Sequence, residues 1–474
     1  MKTIFIGNEF LDSDIKEDII NPYNNELLKT ISLANSKQVD LALIMSQRAY
    51  MLTKNEASYI RRKRLLQLAL EIATQKEEFA KLIVDESGKP MRLAKGEVER
   101  ALITLKLAAE ETTRINGEYL DIEIDENITN SKAITKYEAI GTVYAISPFN
   151  FPLNLMIHKL APALAIGNPV IIKPPKQAPL TALKLAEIIQ HLHFPKGLVQ
   201  IIPSDNDMAK KIIESDIIKM VSFTGSDEVG DIISRLAYNK KVVLELGGIA
   251  TMIVDKTANL KLAANRAAVG AFAYSGQICI SVQRVAVHKD VYEEFRKYLI
   301  EETNKIKVGN PNKDGVLVGP MIDKVGFDKF NRFYHDAVVK KSEIVIEPII
   351  DKEKMVISPA IVESDDYNLL LNKEEAFAPI MLLRQYSDFE EVLNWTNNTK
   401  YGLQASIFSD SLKNINKAVD TLDFGGVIVN DYPTFRVDNQ PYGGVKLSGR
   451  GREGLKYAIR DMAEIKTVIF RNLK

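Results

Sequence analysis

The feature that most constrains this chain is a regular alternation of strand and helix signals between residues 140 and 250. Buried-strand patterns such as Gly141–Ile146 and Pro169–Ile172 are separated by helical patterns of about ten residues. Strands joined by crossover helices form a parallel sheet, and such sheets bind ligands beyond the carboxyl ends of their strands. The alternation therefore predicts an α/β fold with a binding site at that edge.

A second alternating block runs from Ala250 to about Val437 and predicts a second α/β domain, with a cleft between the two. Three other segments are rich in strand formers: Leu120–Ile124, Ala133–Glu138 and the tail Ile465–Phe470. We expect these three segments to form a protruding sheet that pairs with another subunit.

Charge and apolar patterning exclude several classes of protein. The 474 residues include 62 Lys plus Arg and 62 Asp plus Glu, which gives no net charge to attract nucleic acid or an anionic membrane. The N-terminus lacks a signal-peptide pattern, and the mostly apolar stretch Leu160–Ile172 is shorter than the roughly 20 residues that span a bilayer. We therefore expect a cytoplasmic protein of two or three domains.

Cys279 is the only cysteine, so neither an intramolecular disulfide nor a cysteine-based zinc site can form, and no metal site is expected. Cys279 follows a Gly-Gln turn that permits close approach of a ligand. Glu245 ends an apolar strand, a setting that raises a carboxyl pKa toward values useful for base catalysis. Asn150 places an amide at another strand end. Taken singly, each has an ordinary alternative: an inert core thiol, a solvated acid and a turn asparagine.

Seven stretches occur in one order along nearly the whole chain: Ser147–Pro152 (SPFNFP), Lys173–Pro174, Phe223–Ser226 with Gly230, Glu245–Gly248 (ELGG), Gly276–Cys279 (GQIC), Glu375–Phe377, and Pro441–Lys446 with Ser448–Gly449. In this order they resemble the aldehyde dehydrogenase superfamily. The resemblance implies two Rossmann-like parallel-sheet α/β domains plus a small β oligomerisation flap, in a homodimer or homotetramer. The cofactor-binding domain would comprise residues 1–118 and 140–246, the catalytic domain 247–437, and the oligomerisation segment 119–139 and 455–474.

The resemblance also implies a reaction, the oxidation of an aldehyde to its acid with NAD or NADP. The Cys279 thiolate would attack the aldehyde, and the Asn150 side chain with the Cys279 backbone N–H would hold the oxyanion of the thiohemiacetal. After hydride transfer, Glu245 would activate the water that hydrolyses the thioester. Lys159 resembles a family lysine near the site that serves a proton relay; its alternative is an ordinary lysine on a helix surface.

Seven residues would contact the cofactor by this resemblance: Lys173, Lys176, Gly225, Ser226, Gly230, Glu375 and Phe377. Ser226 begins a helix whose free N–H groups would face the pyrophosphate. Glu375 and Phe377 would hold the nicotinamide ribose, and Lys173 the adenosine ribose. Lys176 stands where NAD-preferring relatives have a glutamate, and a cation can pair with a 2′-phosphate. We therefore expect NADP to be accepted or preferred, unless Lys176 points to solvent.

Substrate contacts are implied at Arg100 and Arg436, which match arginines that bind phosphate in non-phosphorylating glyceraldehyde-3-phosphate dehydrogenases. Two further phosphate contacts of those enzymes are replaced, by Phe151 and Ile278, so the pattern is closer to lactaldehyde dehydrogenases. His158 would reach the substrate entrance or pack within its helix. Lactaldehyde, glycolaldehyde, succinate semialdehyde and glyceraldehyde 3-phosphate all stay open as substrates.

Two other functions were weighed against this one. Relatives that transfer the acyl group to coenzyme A typically lack the glutamate found here at position 245. An inactive structural homologue would be expected to have lost the thiol, the carboxylate or the amide, and all three are present in Cys279, Glu245 and Asn150.

Overall fold

The computed structural model describes residues 2–472 of the chain. Within them, the larger sheet has eight strands, of which the five central ones are parallel and the outer ones join by antiparallel pairing. In spatial order the strands are Glu9–Leu11, Ile4–Ile6, Val199–Ile201, Val170–Lys173, Thr142–Ile146, Ile218–Thr224, Lys241–Glu245 and Gly449–Arg450.

Helices cover both faces of this sheet, which explains why its central strands are apolar on both sides. The helices packed on one face are Ser58–Thr74, Lys76–Ser87, Met91–Glu111, Asn154–Ile166, Leu180–His191 and Leu455–Asp461. Those on the other face are Ser36–Thr53, Asn206–Glu214 and Asp227–Leu236.

A second sheet of seven strands, counted over the described residues, has six parallel strands and one antiparallel edge strand. In spatial order they are Glu343–Ile346, Ala360–Glu363, Ile380–Tyr386, Val282–His288, Ala250–Val254, Gln404–Phe408 and Gly426–Val429. Its helices are Leu260–Phe272 and Tyr292–Asn304 on one face, with Lys324–Val339, Leu370–Lys373, Phe389–Asn397 and Leu412–Thr421 on the other. The predicted α/β fold with two parallel sheets is confirmed.

A third, antiparallel sheet joins Ala463–Arg471 to Ser131–Ala139 over nine residue pairs, and Ser131–Ala139 to Tyr119–Leu120. Two of the three segments predicted to form this sheet lie within its long strands. The third prediction, a strand over Leu120–Ile124, is wrong beyond Leu120.

Local turn chemistry explains that difference. The side chain of Asp121 accepts a hydrogen bond from the Glu123 N–H at 3.1 Å, and Asp125 accepts one from the Asn127 N–H at 2.8 Å. Such bonds from an Asp side chain to the backbone two residues on form turns and compete with strand pairing. The chain therefore leaves the sheet between Leu120 and Ser131.

The remaining strands form short pairs: Lys16–Ile20 with Leu27–Ser32, Lys307–Val308 with Val316–Val318, Ile350–Asp351 with Val356–Ile357, and Tyr401–Gly402 with Val445–Lys446. None of the helices between residues 2 and 472 combines the length and the apolar character that crossing a membrane requires.

The division into cofactor-binding, catalytic and oligomerisation segments stays a prediction. Residue 1 and residues 473–474, which it includes, lie outside the described part of the chain.

The fold brings several strand ends to one place. Thr224 and Glu245 end neighbouring parallel strands and lie opposite each other in the ladder. The chain returns late to this sheet, where Gly449–Arg450 pairs with the last two residues of Lys241–Glu245. Because of this pairing, the segment that precedes Gly449–Arg450 and contains Tyr442 lies over the strand end that carries Glu245.

Candidate active site

The backbone before Cys279 is held in an unusual conformation. A short 3-10 turn over Ala273–Gly276 contains three successive left-handed residues, Tyr274 (φ 53°), Ser275 (φ 58°) and Gly276 (φ 69°). Left-handed geometry costs a non-glycine residue about 1–3 kcal/mol, and it persists only where surrounding contacts enforce it. At Gly276 a side chain is also sterically excluded, because a Cβ would lie 2.3 Å from the carbonyl oxygen of Ala378.

Side-chain hydrogen bonds fix this turn to the rest of the molecule. The Tyr274 hydroxyl donates to the Ser87 carbonyl at 3.0 Å, and the Ser275 hydroxyl donates to the Gly319 carbonyl at 2.8 Å. Gln277 accepts a hydrogen bond from the Ile322 N–H at 2.9 Å. These buried anchors hold the segment that carries Cys279 rigidly, as strained backbone at functional sites requires.

The Cys279 thiol is half-buried, and its Sγ lies 3.1 Å from the Tyr442 hydroxyl oxygen. Burial raises the pKa of this thiol to about 11, against the lowering effects of Tyr442 and Arg436. The charges of Glu375 and Glu245 also raise the pKa of this thiol.

Asn150 follows the strand Thr142–Ile146 and reaches the same turn. Its side chain is 4% exposed, and its Nδ2 donates to the carbonyl of Gln277 at 3.0 Å, two residues before Cys279. Among the described residues nothing donates to its Oδ1. The amide is therefore buried beside the thiol segment and held by one hydrogen bond, with its second N–H available.

Glu245 is the last residue of its strand and is 4% exposed. Neither carboxylate oxygen has a hydrogen-bond partner within residues 2–472. Burial first, and then repulsion by Glu453, raise the pKa of Glu245 well above its ordinary value, although Arg436 and Lys159 oppose the rise. A carboxyl group of this kind is protonated more readily than one in water and can act as a base near neutral pH.

Lys159 lies on the helix Asn154–Ile166 and is fully buried, which excludes the alternative of a helix-surface lysine. Its Nζ donates to Thr224 Oγ1 at 2.7 Å and to Ser222 Oγ at 3.3 Å, and pairs with Glu453 Oε1 at 3.2 Å. Since Thr224 lies opposite Glu245 in the ladder, Lys159 reaches the strand end that carries the carboxylate.

Arg436 pairs with the other oxygen of the same acid, with its Nη2 2.9 Å from Glu453 Oε2. Its guanidinium carbon lies 3.7 Å from the centre of the Tyr442 ring, a cation–π distance. Burial opposes ionisation of Glu453, but the charges of Lys159 and Arg436 lower its pKa to about 2. No acceptor for the Arg436 Nε was found in the described part of the chain, so this buried donor is available to a ligand.

Arg100 and His158 share a second acid, Asp438. Arg100 Nη2 lies 2.6 Å from Asp438 Oδ1, and His158 Nε2 lies 2.9 Å from the same oxygen. Burial and the charge of Arg436 lower the pKa of His158, so the imidazole is neutral at neutral pH. The two arginines and the histidine predicted from sequence thus lie in one cluster. Each of them contacts an acid, and Arg436 also contacts His158 at 3.5 Å.

The helix Asp227–Leu236 begins beside this site. Ser226 caps it by accepting a hydrogen bond from the Val229 N–H at 3.4 Å. At Gly230 a Cβ would lie 2.8 Å from the Leu246 side chain, and at Gly225 one would lie 2.3 Å from the Phe223 ring. The glycines therefore let a helix N-terminus approach the strand ends closely, which suits a phosphate group.

Glu375 closes the site on the side of the second sheet, where it accepts a hydrogen bond from the Gly248 N–H at 2.9 Å. A Cβ at Gly247 would lie 2.6 Å from the Glu375 carboxylate, so a side chain there would push this carboxylate aside. Phe377 has φ +51° and packs edge-on against Phe149, with ring centres 6.0 Å apart.

Lys173 and Lys176 line a surface cavity of about 190 Å³, together with Asp205 and Glu17. Burial lowers the pKa of Lys173. The Lys176 side chain is 70% exposed, and its Nζ pairs with Glu17 at 2.9 Å. A largely apolar cavity edged by two lysines would suit an adenosine, and the helix N-terminus with its glycines would suit the pyrophosphate of an adenine dinucleotide.

Tyr442, Asp438 and Glu453 are residues of this cluster that reasoning from the sequence missed. Tyr442 stands within the stretch Pro441–Lys446 that carries the family resemblance, and Asp438 lies two residues after Arg436, so a signal was available for both. Glu453 carries no local signal, because its partners Lys159 and Arg436 are 294 and 17 residues away in the chain.

Comparison with known proteins identifies the family. The model of the aldehyde dehydrogenase family matches residues 10–468. The chain belongs to the aldehyde dehydrogenase family. The motif resemblance is thereby confirmed, and with it the expectation of an NAD(P)-dependent aldehyde dehydrogenase.

Three relatives show the range of similarity. A lactaldehyde dehydrogenase of Methanococcus maripaludis is 40% identical, with 98% of this chain and 99% of the relative covered. A 3-sulfolactaldehyde dehydrogenase of Priestia aryabhattai is 37% identical, with 98% and 97% covered. The structure of glyceraldehyde-3-phosphate dehydrogenase GapN from Methanocaldococcus jannaschii, complexed with NADP, has a TM-score of 0.92 and 35% identity, with 97% of this chain and 100% of that chain covered.

Proposed function

We propose that this aldehyde dehydrogenase oxidises a short aldehyde carrying a hydroxyl or a negative charge, such as lactaldehyde, to its carboxylic acid. The observation that carries the proposal is the meeting of three groups from distant parts of the chain. The Cys279 thiol and the Asn150 amide meet at one turn. The unpartnered carboxyl group of Glu245 lies against Gly443, which follows Tyr442, the residue whose hydroxyl contacts the sulfur.

The first half of the reaction falls to Cys279 and Asn150. The Cys279 thiolate attacks the aldehyde carbon, forming a carbon–sulfur bond and an oxyanion. The Asn150 amide, whose free N–H lies beside the thiol segment, stabilises that oxyanion together with the Cys279 backbone N–H. The rigid turn from Tyr274 to Gly276 keeps the sulfur and the donor in place, so little ordering is needed when the aldehyde arrives.

The second half falls to Glu245. Once hydride has left the thiohemiacetal, a thioester joins the acyl group to Cys279. Glu245 takes a proton from water, and the resulting hydroxide equivalent attacks the thioester carbonyl and releases the acid. Lys159 lies at the same strand end and binds Thr224 and Glu453. Since neither oxygen of Glu245 has a hydrogen-bond partner among the described residues, a proton relay from Glu245 to Lys159 would run through a bridging water.

The cofactor would be held by Ser226 and the helix after it, by Glu375 with Phe377, and by Lys173 with Lys176. A bound nicotinamide ring supplies the hydride acceptor. NADP is the cofactor we propose, because Lys176 lines the same cavity as Lys173, and its surface ion pair with Glu17 is weak enough to yield to a 2′-phosphate. The similarity to a structure complexed with NADP supports this choice.

The charges around the entrance bear on the substrate. Arg100 pairs with Asp438, and Arg436 shares Glu453 with Lys159, so each arginine already has an internal acid beside it. The free Arg436 Nε is a donor for one oxygen of the substrate, which a hydroxyl or an anionic group both provide. A phosphate with two negative charges would have to displace these internal acids from the arginines. We therefore propose lactaldehyde as a substrate ahead of glyceraldehyde 3-phosphate. Relatives named for lactaldehyde and for 3-sulfolactaldehyde support the two substrate classes.

The test is a comparison of kcat/KM for lactaldehyde, glycolaldehyde, succinate semialdehyde and glyceraldehyde 3-phosphate, each with NADP and with NAD. We expect lactaldehyde with NADP to give the highest value and free acid to be the product. Preference for glyceraldehyde 3-phosphate would overturn the substrate proposal. Acyl-coenzyme A formation in the presence of coenzyme A, without free acid, would overturn the hydrolytic role of Glu245.

The antiparallel sheet of Tyr119–Leu120, Ser131–Ala139 and Ala463–Arg471 is the part we propose to join subunits. The strand Ala463–Arg471 lies at its edge and exposes Ile465, Ile469 and Phe470. An unpaired apolar edge strand favours pairing with a second copy. A homodimer or homotetramer follows, which measurement of the molar mass in solution tests.

A further inference from the structure

Tyr442 is the residue nearest the reactive sulfur that the reaction described above does not use. Its side chain is 3% exposed, its ring packs with Ile280 and Leu403, and its hydroxyl oxygen lies 3.1 Å from Cys279 Sγ. The position of the ring thus fixes the hydroxyl against the thiol.

We propose that Tyr442 is a catalytic residue whose hydroxyl donates a hydrogen bond to the Cys279 thiolate and so favours formation of the ionised nucleophile. The proposal rests on the proposed function only in taking Cys279 as the nucleophile. No covalent step is added: the hydrogen stays bonded to the Tyr442 oxygen throughout.

The direction of this hydrogen bond follows from the acidities of the two groups. Burial first, and then the neighbouring Cys279, raise the pKa of Tyr442 well above its usual range. The phenol therefore keeps its hydrogen under all ordinary conditions and is the donor, while a thiolate can only accept. Hydrogen bonds to an ionised partner are roughly twice as strong as those between neutral groups, so this contact favours the thiolate over the thiol.

Arg436 supports Tyr442 from the other side of the ring. Its guanidinium carbon lies 3.7 Å from the ring centre, and Glu453 fixes its orientation. A cation over the ring face draws electron density from the phenol and makes its hydroxyl a better donor. Arg436 is thus a positioning residue for Tyr442, in addition to its proposed contact with substrate.

Four groups act on the ionisation of Cys279, and they oppose one another. Tyr442 and Arg436 favour the thiolate, whereas Glu375 and Glu245 disfavour it. Burial also disfavours the thiolate. Without the Tyr442 hydroxyl, Arg436 would be the one described group left to favour the thiolate. Removing one hydroxyl should therefore have a large and specific effect.

The test is Tyr442→Phe, which keeps the ring and removes the hydroxyl. Because the chain has one cysteine, the rate of alkylation by iodoacetamide reports on Cys279 alone. We expect the rate at neutral pH to fall about tenfold, equivalent to a rise of about one unit in the pKa of the thiol. Ultraviolet thiolate absorbance, read against the same protein with Cys279→Ala, measures ionisation directly and separates it from a change in access.

Tyr386→Phe is the matched control. It also removes a buried tyrosine hydroxyl, but that hydroxyl has no hydrogen-bond partner among the described residues, and its ring packs against His288 in the second sheet. We expect its thiol to titrate as in the unmodified protein. The proposal is overturned if the thiol of Tyr442→Phe ionises at the same or a lower pH, or if Tyr386→Phe shifts the thiol pKa equally. Neither readout needs an aldehyde, so loss of activity on every aldehyde would overturn the proposed function alone.

Discussion

Replacing Glu245 by glutamine should separate the two halves of the reaction. Neither oxygen of the carboxyl group accepts a hydrogen bond from any described residue, and an amide has nearly the same volume, so packing should be preserved. The amide cannot take a proton from water, and general base catalysis contributes about 10²–10⁴-fold to a rate. At about 1.36 kcal/mol for each tenfold change, the barrier to thioester hydrolysis should rise by about 2.7–5.4 kcal/mol.

Rapid mixing of Glu245→Gln with NADP and lactaldehyde should give a burst of NADPH followed by a stall. The burst should approach one equivalent for each chain, because the only cysteine then carries the acyl group. Mass spectrometry of the quenched protein should find the adduct on Cys279. Steady turnover within about threefold of the unmodified enzyme lies outside the range expected for a lost base and would refute the role given to Glu245.

Thermal unfolding gives an independent measure of the same carboxyl group. The pKa of Glu245 is raised in the folded state, so folding favours its protonated form. Its contribution to stability is complete below the pKa of the unfolded chain and is lost as pH rises through the folded-state pKa, by about 1.4 kcal/mol for each unit between the two. Glutamine resembles the protonated form at every pH. The free energy of unfolding of Glu245→Gln should therefore increase relative to that of the unmodified protein as pH rises. A decrease in this difference with rising pH would contradict the raised pKa.

Three further substitutions test other parts of the site. Cys279→Ala should abolish turnover while leaving NADPH binding unchanged by calorimetry; near-normal turnover would exclude Cys279 as nucleophile. Lys176→Glu should lower the ratio of kcat/KM for NADP to that for NAD about tenfold, the size of one charge-assisted contact, and an unchanged ratio would remove Lys176 from cofactor selection. Gly247→Ala would place a Cβ 2.6 Å from the Glu375 carboxylate and should raise the KM for NADP about tenfold. Gly96→Ala, whose Cβ meets nothing within 4 Å, is its control and should leave that KM unchanged.

The sequence predicted those features of the fold that local patterns encode. Alternating strand and helix patterns predict parallel sheets, and parallel sheets bring strand ends such as Glu245 and the segment around Asn150 to one edge. The third sheet was predicted for the same reason, since its two long strands are continuous runs of strand formers. Its short strand was predicted too long, because side-chain bonds in turns override strand propensity after Leu120.

Partners of buried charges could not be predicted in this way. Asp438 binds His158 from 280 residues away, and nothing in the sequence near either residue fixes that contact. Likewise, the sequence shows Tyr442 only as an aromatic residue in a glycine-rich loop and does not indicate what its hydroxyl contacts. Its contact with Cys279, 163 residues away, depends on the late return of the chain to the first sheet. Long-range pairs of this kind follow from topology rather than from local pattern.

The charges around Glu245 explain how one site can supply first a nucleophile and then a base. Lys159 and Arg436 share the single acid Glu453, so this buried group has one positive charge in excess. It can stabilise one further anion, and Cys279 and Glu245 each raise the cost of ionising the other. Before the aldehyde reacts, ionisation of the thiol competes with ionisation of Glu245 for that place, and Tyr442 and Arg436 favour the thiolate.

Once sulfur is bonded to the acyl group it carries no charge, and the carboxyl group can ionise to act as a base. Glu245→Gln removes the competing acid, so the thiol of that variant should ionise at a lower pH than in the unmodified enzyme. Its burst should then be no slower than normal at neutral pH. A slower burst would mean that Glu245 itself takes the thiol proton. The proposed order, in which the thiolate forms first and the Glu245 carboxylate later, would then be wrong.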